Sequence, residues 1–132
     1  MYIENSEDDS LPPIALKLAS AKGWDTFTRV LMLAGKALPA LPEQQRTHDN
    51  SVEGCESPVW LCVTDGEIMA YSPSKIIRGV LAVLLERANS LTAEQRSSFD
   101  FAAYLEQCQL SRYLSQSRGN GITAVINALR RQ

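Results

Sequence analysis

At 132 residues the chain is long enough to bury one core without disulfide or metal staples. Hydrophobic content of 45% and charged content of 21% belong to a folded, water-exposed domain rather than a disordered or membrane-embedded one. A net charge of −2 gives no global electrostatic case for binding nucleic acid or an anionic membrane, and neither is expected as a partner.

Residues 1–10, "MYIENSEDDS", read as a flexible acidic leader, and residues 11–132 as a single domain. The leader lacks the basic start and apolar stretch of a signal peptide, so the expected location is cytoplasmic. After Pro12-Pro13 a short helix is predicted over 14–21. In "GWDTFTRVLMLAGKALPALP" the residues Trp24, Phe27, Val30, Leu31, Ala34 and Leu38 recur at helical spacing on one face, until Pro39 and Pro42 stop the pattern. From Ser57 the period changes to two. Val59, Leu61 and Val63 fall on one side of a strand, Trp60, Cys62 and Thr64 on the other. Asp65-Gly66 is a two-residue hairpin signal, and "EIMAYS" returns as the second strand, with "NSVE" available as a short third.

Helix resumes in "YSPSKIIRGVLAVLLERANS", where Ser72 is the expected N-cap and Pro73 the first helical residue. Apolar residues Ile76, Ile77, Val80, Leu81, Val83, Leu84 and Leu85 cover most of its circumference, which predicts the central buried helix. Its longest apolar run is broken by Arg78, short of a bilayer span. Gly79 inside it is disfavoured by about 1 kcal/mol relative to alanine, so close packing against another element is expected there. Thr92 and Gln95 form a capping-box pattern, followed by two more amphipathic pieces, "DFAAYLEQCQL" and "RGNGITAVINALRRQ". Helices, hairpin, helices: the order predicts an α+β domain with a small antiparallel sheet packed against several helices.

Cys55, Cys62 and Cys108 are odd in number and unrelated in spacing, which argues against a disulfide framework and a zinc site; no metal is expected. The lone His48 reads as a loop residue. Cys108, among Leu105 and Leu110, reads as core, and Cys62 beside Trp60 as packing. Cys55 differs. Gly54 precedes it, Ser57-Pro58 interrupts regular structure after it, and it stands on a loop entering a rigid strand. A catalytic thiol needs a histidine, a helix N-terminus or a cation to ionise; here the neighbours are Glu53 and Glu56. A weakly reactive resting thiol is therefore expected, titrating at or above about 8.5 and completed by a partner.

"SVEGCESPVWL", with the later "SRGNGI", resembles the SufE/CsdE family of sulfur-acceptor proteins. The match includes Gly54-Cys55, Ser57, Val59-Trp60, Arg78-Gly79, Ser117-Arg118 and Gly121. Trp24 and "GKALPALP" extend it upstream and look closest to the CsdE branch. The resemblance covers about residues 14–131 and implies a fold similar to iron–sulfur scaffold proteins. It implies that Cys55 accepts sulfur as a persulfide from a PLP-dependent cysteine desulfurase, CsdA- or SufS-like, stimulating that enzyme. The sulfur would then pass to a downstream acceptor or Fe–S scaffold. Gly54, Ser57, Val59, Trp60, Arg118 and Gly121 would support the site. The chain would need no cofactor of its own, since PLP belongs to the desulfurase, and would show no independent turnover. Relatives often carry a Gly-Asp-Ser-Asp-like segment where this chain has Tyr71-Ser72-Pro73-Ser74, and many have a longer hairpin than Asp65-Gly66. Two other readings of Cys55 stand beside this one: a self-contained thiol redox enzyme, and a non-catalytic binding module with the same fold.

Overall fold

The structure, a computed structural model, describes residues 11–53, 58–110 and 116–132, with no side-chain placement for 116–121. Six helices and a two-stranded antiparallel ribbon are found among these residues, an α+β architecture. Helix α1 (Pro13–Ser20) starts on a proline, whose fixed φ and missing N–H suit a first turn. Its open amides of Ile14 and Ala15 donate to the Glu86 carboxylate at 3.0 and 3.3 Å. At its other end the Gln109 side-chain amide donates to the carbonyls of Leu18, Ala19 and Ala21 at 2.9–3.2 Å. Side chains from distant elements therefore clamp both ends of a helix too short to stand alone. Glu86→Ala should lower stability by about 1–2 kcal/mol and speed hydrogen exchange across Ile14–Leu18. Glu86→Gln, which keeps one acceptor, should lose less. Unchanged exchange in the alanine variant would show that α1 is held by packing alone.

Helix α2 (Trp24–Lys36) buries Phe27, Leu31 and Ala34 as the spacing predicts. Trp24 does not join them: it opens the helix after Gly23 (φ 83°), remains 49% exposed and stacks against Phe27 at 6.5 Å. Strands β1 (Trp60–Thr64) and β2 (Glu67–Tyr71) pair with Trp60 opposite Tyr71 and Leu61 opposite Ala70. Asp65 and Gly66 both take positive φ, 54° and 82°, the pattern of a type I′ hairpin turn. Of the third strand expected from "NSVE" there is one antiparallel bridge, Ser51 to Trp60, and not a strand. Val59 and Leu61 are buried, but Val63 is 42% exposed because the ribbon runs past the core before it turns.

Helix α3 (Lys75–Ala88) is the central helix, burying every residue from Gly79 to Leu85 and Ala88. Its N-cap is Ser74, whose hydroxyl accepts from the Ile77 amide at 3.3 Å. The cap expected at Ser72 is corrected. Ser72 precedes Pro73, a position held out of the helical region, and its fully buried side chain instead accepts from the Ser74 amide. Helices α4 (Ala93–Ser98), α5 (Phe101–Gln107) and α6 (Gln116–Arg130) complete the fold. The Thr92–Gln95 capping box forms reciprocally, at 2.9 and 3.1 Å. The core joins Phe27 and Leu31 of α2, Leu61 and Ile68 of the ribbon, Val83 and Leu84 of α3, Phe101 of α5 and Leu129 of α6. No helix among the described residues is long and apolar enough to cross a membrane.

Candidate functional site

Gly54, Cys55 and Ser57 lie outside the described residues, but both ends of the segment carrying them are described. The Val52 amide donates to the Val59 carbonyl at 2.8 Å, and the Ser51–Trp60 bridge lies one step further along. Val52 and Val59, on either side of that stretch, are therefore held within a hydrogen bond of each other.

The entry side of this stem is fastened at several points. Segment 39–53 crosses the ribbon, with Leu41 N donating to Ala70 O (3.0 Å) and Ala70 N to Pro39 O (3.1 Å). The Gln45 side-chain oxygen accepts from Thr64 Oγ1 at 3.2 Å and from Cys62 Sγ at 3.7 Å, while Asn50 Nδ2 donates to the Gln45 carbonyl at 2.7 Å. The Arg46 guanidinium lies 3.6 Å over the Tyr71 ring and its Nε donates to Leu41 O at 2.8 Å. A short turn, His48–Asn50, then delivers the chain to Ser51. On the exit side, Val59 is 2% exposed and Trp60 half-buried, as members of the core and the ribbon.

Beside the stem runs a cleft of about 640 Å³ between residues 48–53 and the end of α6. Asp49 and Glu53 contribute carboxylates, Arg131 a cation, and His48 and Asn127 further polar edges. His48, Asp49 and Glu53 are neighbours in the chain, whereas Asn127 and Arg131 join them only through the packing of α6. Arg130, in the last turn of α6, also donates to the Phe99 carbonyl at 3.0 Å. Arg118 and Gly121 fall in the first half of α6, where only the helix itself is described.

The two described cysteines separate cleanly. Cys108 is fully buried, as expected, and burial with the nearby Glu86 carboxylate pushes its thiol up to about 12. Cys62 is not core: it is half-buried on the ribbon face that Gln45 covers. Burial likewise pushes the Tyr104 hydroxyl, which donates to Val83 O at 2.9 Å, well above its ordinary value. For both groups the folded value exceeds the unfolded one. Their contribution to stability is complete below about pH 9 and declines as pH rises toward 12, because only the unfolded chain ionises there. The urea midpoint should fall progressively between pH 9 and 11, and less steeply in Cys108→Ala. A midpoint that rises over this range would contradict the buried, neutral assignment.

No group of three or more His, Cys, Asp or Glu side chains among the described residues is placed to hold a metal ion. In the comparison with known protein families, residues 13–132 match the SufE family, described as an Fe-S metabolism associated domain. The match takes in the clamped helix α1, the thiol-bearing segment with both ends of its stem, and α6. Covering all but the first twelve residues, it shows that the chain belongs to the SufE family.

Proposed function

We propose that this protein is a sulfur acceptor of Fe–S metabolism. Cys55 takes sulfur from a PLP-dependent, CsdA- or SufS-like cysteine desulfurase, stimulates that enzyme by unloading it, and hands the sulfur to a downstream acceptor or Fe–S scaffold. The observation that carries this reading is the family match across residues 13–132, which includes the Gly54-Cys55 position. In the transfer, the Cys55 thiolate attacks the outer sulfur of the desulfurase persulfide. A new S–S bond forms, the donor's S–S bond breaks, and the donor cysteine leaves as thiolate. The sulfane sulfur changes partner and no external oxidant or reductant is needed.

The pinned stem suits this task. A segment fixed at both ends can present its thiol to a partner's active site while the scaffold stays unchanged, which limits the ordering cost of docking. The neighbouring Glu53 and Glu56 carboxylates disfavour a thiolate at Cys55, so the partner's site would complete its activation. The test is intact-protein mass after incubation with a cysteine desulfurase and free cysteine. The wild type should gain one sulfur, removable by reductant, and Cys55→Ser should gain none. The reading fails if active desulfurases leave the wild type unmodified, or if the serine variant is loaded equally.

A further inference from the structure

A second recognition feature lies near Tyr71, whose ring both Arg46 and Arg78 approach. A cleft of about 240 Å³ opens between α2 and the first turn of α3, lined by Met32, Gly35, Lys36, Lys75 and Arg78. Its lining thus combines three cations with the flexible, apolar Met32 and the bare backbone of Gly35. Leu33 beside it is 57% exposed and Met32 36%. Among the described residues Arg78 Nε is buried without a hydrogen-bond partner, and the Arg78 guanidinium lies 5.5 Å from the Tyr71 ring. A carboxylate is the acceptor a guanidinium pairs with best.

Charge distribution points the same way. The first ten residues carry four carboxylates (Glu4, Glu7, Asp8, Asp9) and no cation, so residues 11–132 hold 13 cationic against 11 acidic side chains. The positive end of the α3 dipole adds to the three side-chain charges. The cleft is also linked to the stem through the ribbon: Ser51 bridges to Trp60, Trp60 pairs with Tyr71, and the Tyr71 ring is approached by both Arg46 and Arg78.

We propose that this cleft receives an acidic–apolar segment of a partner protein, one large apolar side chain filling it while adjacent carboxylates meet Lys36, Lys75 and Arg78. Its volume is that of a single large side chain, and Met32 can repack around different occupants. That the partner is the one exchanging sulfur with Cys55 rests on the reading above; the chemistry of the occupant does not.

The test has two arms. In the first, the 15N-labelled full chain is titrated with the peptide acetyl-Leu-Glu-Asp-Leu-Glu-amide, with its Gln/Asn counterpart, and with inorganic phosphate. Saturable shifts at Gly35, Lys36, Lys75 and Arg78 are expected for the acidic peptide, about tenfold weaker in Lys36→Glu/Lys75→Glu. Equal binding of the neutral peptide, or of phosphate, overturns the proposal. So does binding that appears only after removal of residues 1–10, since the acidic leader would then be the occupant. In the second arm, the same double variant should raise the half-saturating concentration for desulfurase stimulation about tenfold, with sulfur loading at saturation unchanged. An unchanged half-saturating concentration overturns the sulfur-exchanging partner. If the wild type stimulates no desulfurase, the sulfur-transfer reading fails while the peptide arm still decides the cleft.

Discussion

Gly79→Ala should lower the thermal midpoint by about 10 °C, corresponding to roughly 2–3 kcal/mol in a domain of this size. In an ordinary helix interior the substitution would stabilise by about 1 kcal/mol, so even the sign is diagnostic. The reason is the crossing of α2 over α3. A Cβ at Gly79 would land on the Leu31 carbonyl oxygen, 2.7 Å from Leu31 Cγ and 3.0 Å from its carbonyl carbon. The carbonyl cannot swing aside without breaking the α2 ladder, so the helices must separate. Separation would loosen Phe27, Leu31 and Ala34 from the buried face of α3, the largest helix–helix contact among the described residues. Gly35→Ala is the control, since its Cβ would approach Gly79 N at 3.2 Å and Arg78 Cβ at 3.3 Å, contacts that a shift of tenths of an ångström relieves. Its midpoint should move by no more than a third as much. A Gly79→Ala protein as stable as wild type would mean that the crossing has slack the contact distances deny.

Gly79 was legible in the sequence because a glycine inside an apolar helix conflicts with local propensity, and such conflicts point to tertiary causes. Asp65-Gly66 and Thr92–Gln95 were legible for the opposite reason: their chemistry is complete within four residues. The N-cap of α3 was misplaced because "SPS" offers two hydroxyls, and only the restriction that Pro73 places on Ser72 decides between them. Trp24 carried the right spacing for the core but stands at the helix's first turn, where the face it shares with Phe27 has already left the interior. The possible third strand is represented among the described residues by a bridge. What "NSVE" supplies is a bridge and one hydrogen bond, and a contact of that size leaves no periodic trace.

The candidate thiol is named by the sequence alone, and the structure adds the residues at either end of its segment. "EGCES" marked the thiol, yet the segments that frame it are far apart in the chain. The cleft beside the stem joins residues 48–53 to Asn127 and Arg131, and the basic cleft joins Lys36 to Lys75 and Arg78. No local pattern announces such pairings. They follow from the α2–α3 crossing and from the packing of α6, so they become visible only once the fold is known. Cys62 shows the same limit from the other direction. Alternation put it on a strand face with Trp60, but whether that face meets core or a covering loop depends on Gln45, seventeen residues away.

Of the three thiols, only Cys55 should be indispensable: Cys55→Ser should return the desulfurase to its unassisted rate, while Cys62→Ser and Cys108→Ser should retain most of the stimulation. A serine hydroxyl forms no persulfide, so the first substitution removes the acceptor rather than weakening it. Cys108 is fully buried with its thiol pushed up to about 12, leaving on the order of one thiolate in 10⁵ at pH 7 and no route to a donor. Cys62 is half-buried and turned toward Gln45, where its loss removes a weak sulfur hydrogen bond and little else. The measurement is alanine or sulfide release from cysteine by a desulfurase, titrated with each variant, beside far-UV circular dichroism to confirm folding. Loss of stimulation in Cys62→Ser with Cys55 intact would turn the single acceptor into a two-thiol relay. Full stimulation by Cys55→Ser would separate activation from sulfur acceptance and make docking alone the active principle. The basic cleft between α2 and α3 would then be the first surface to mutate.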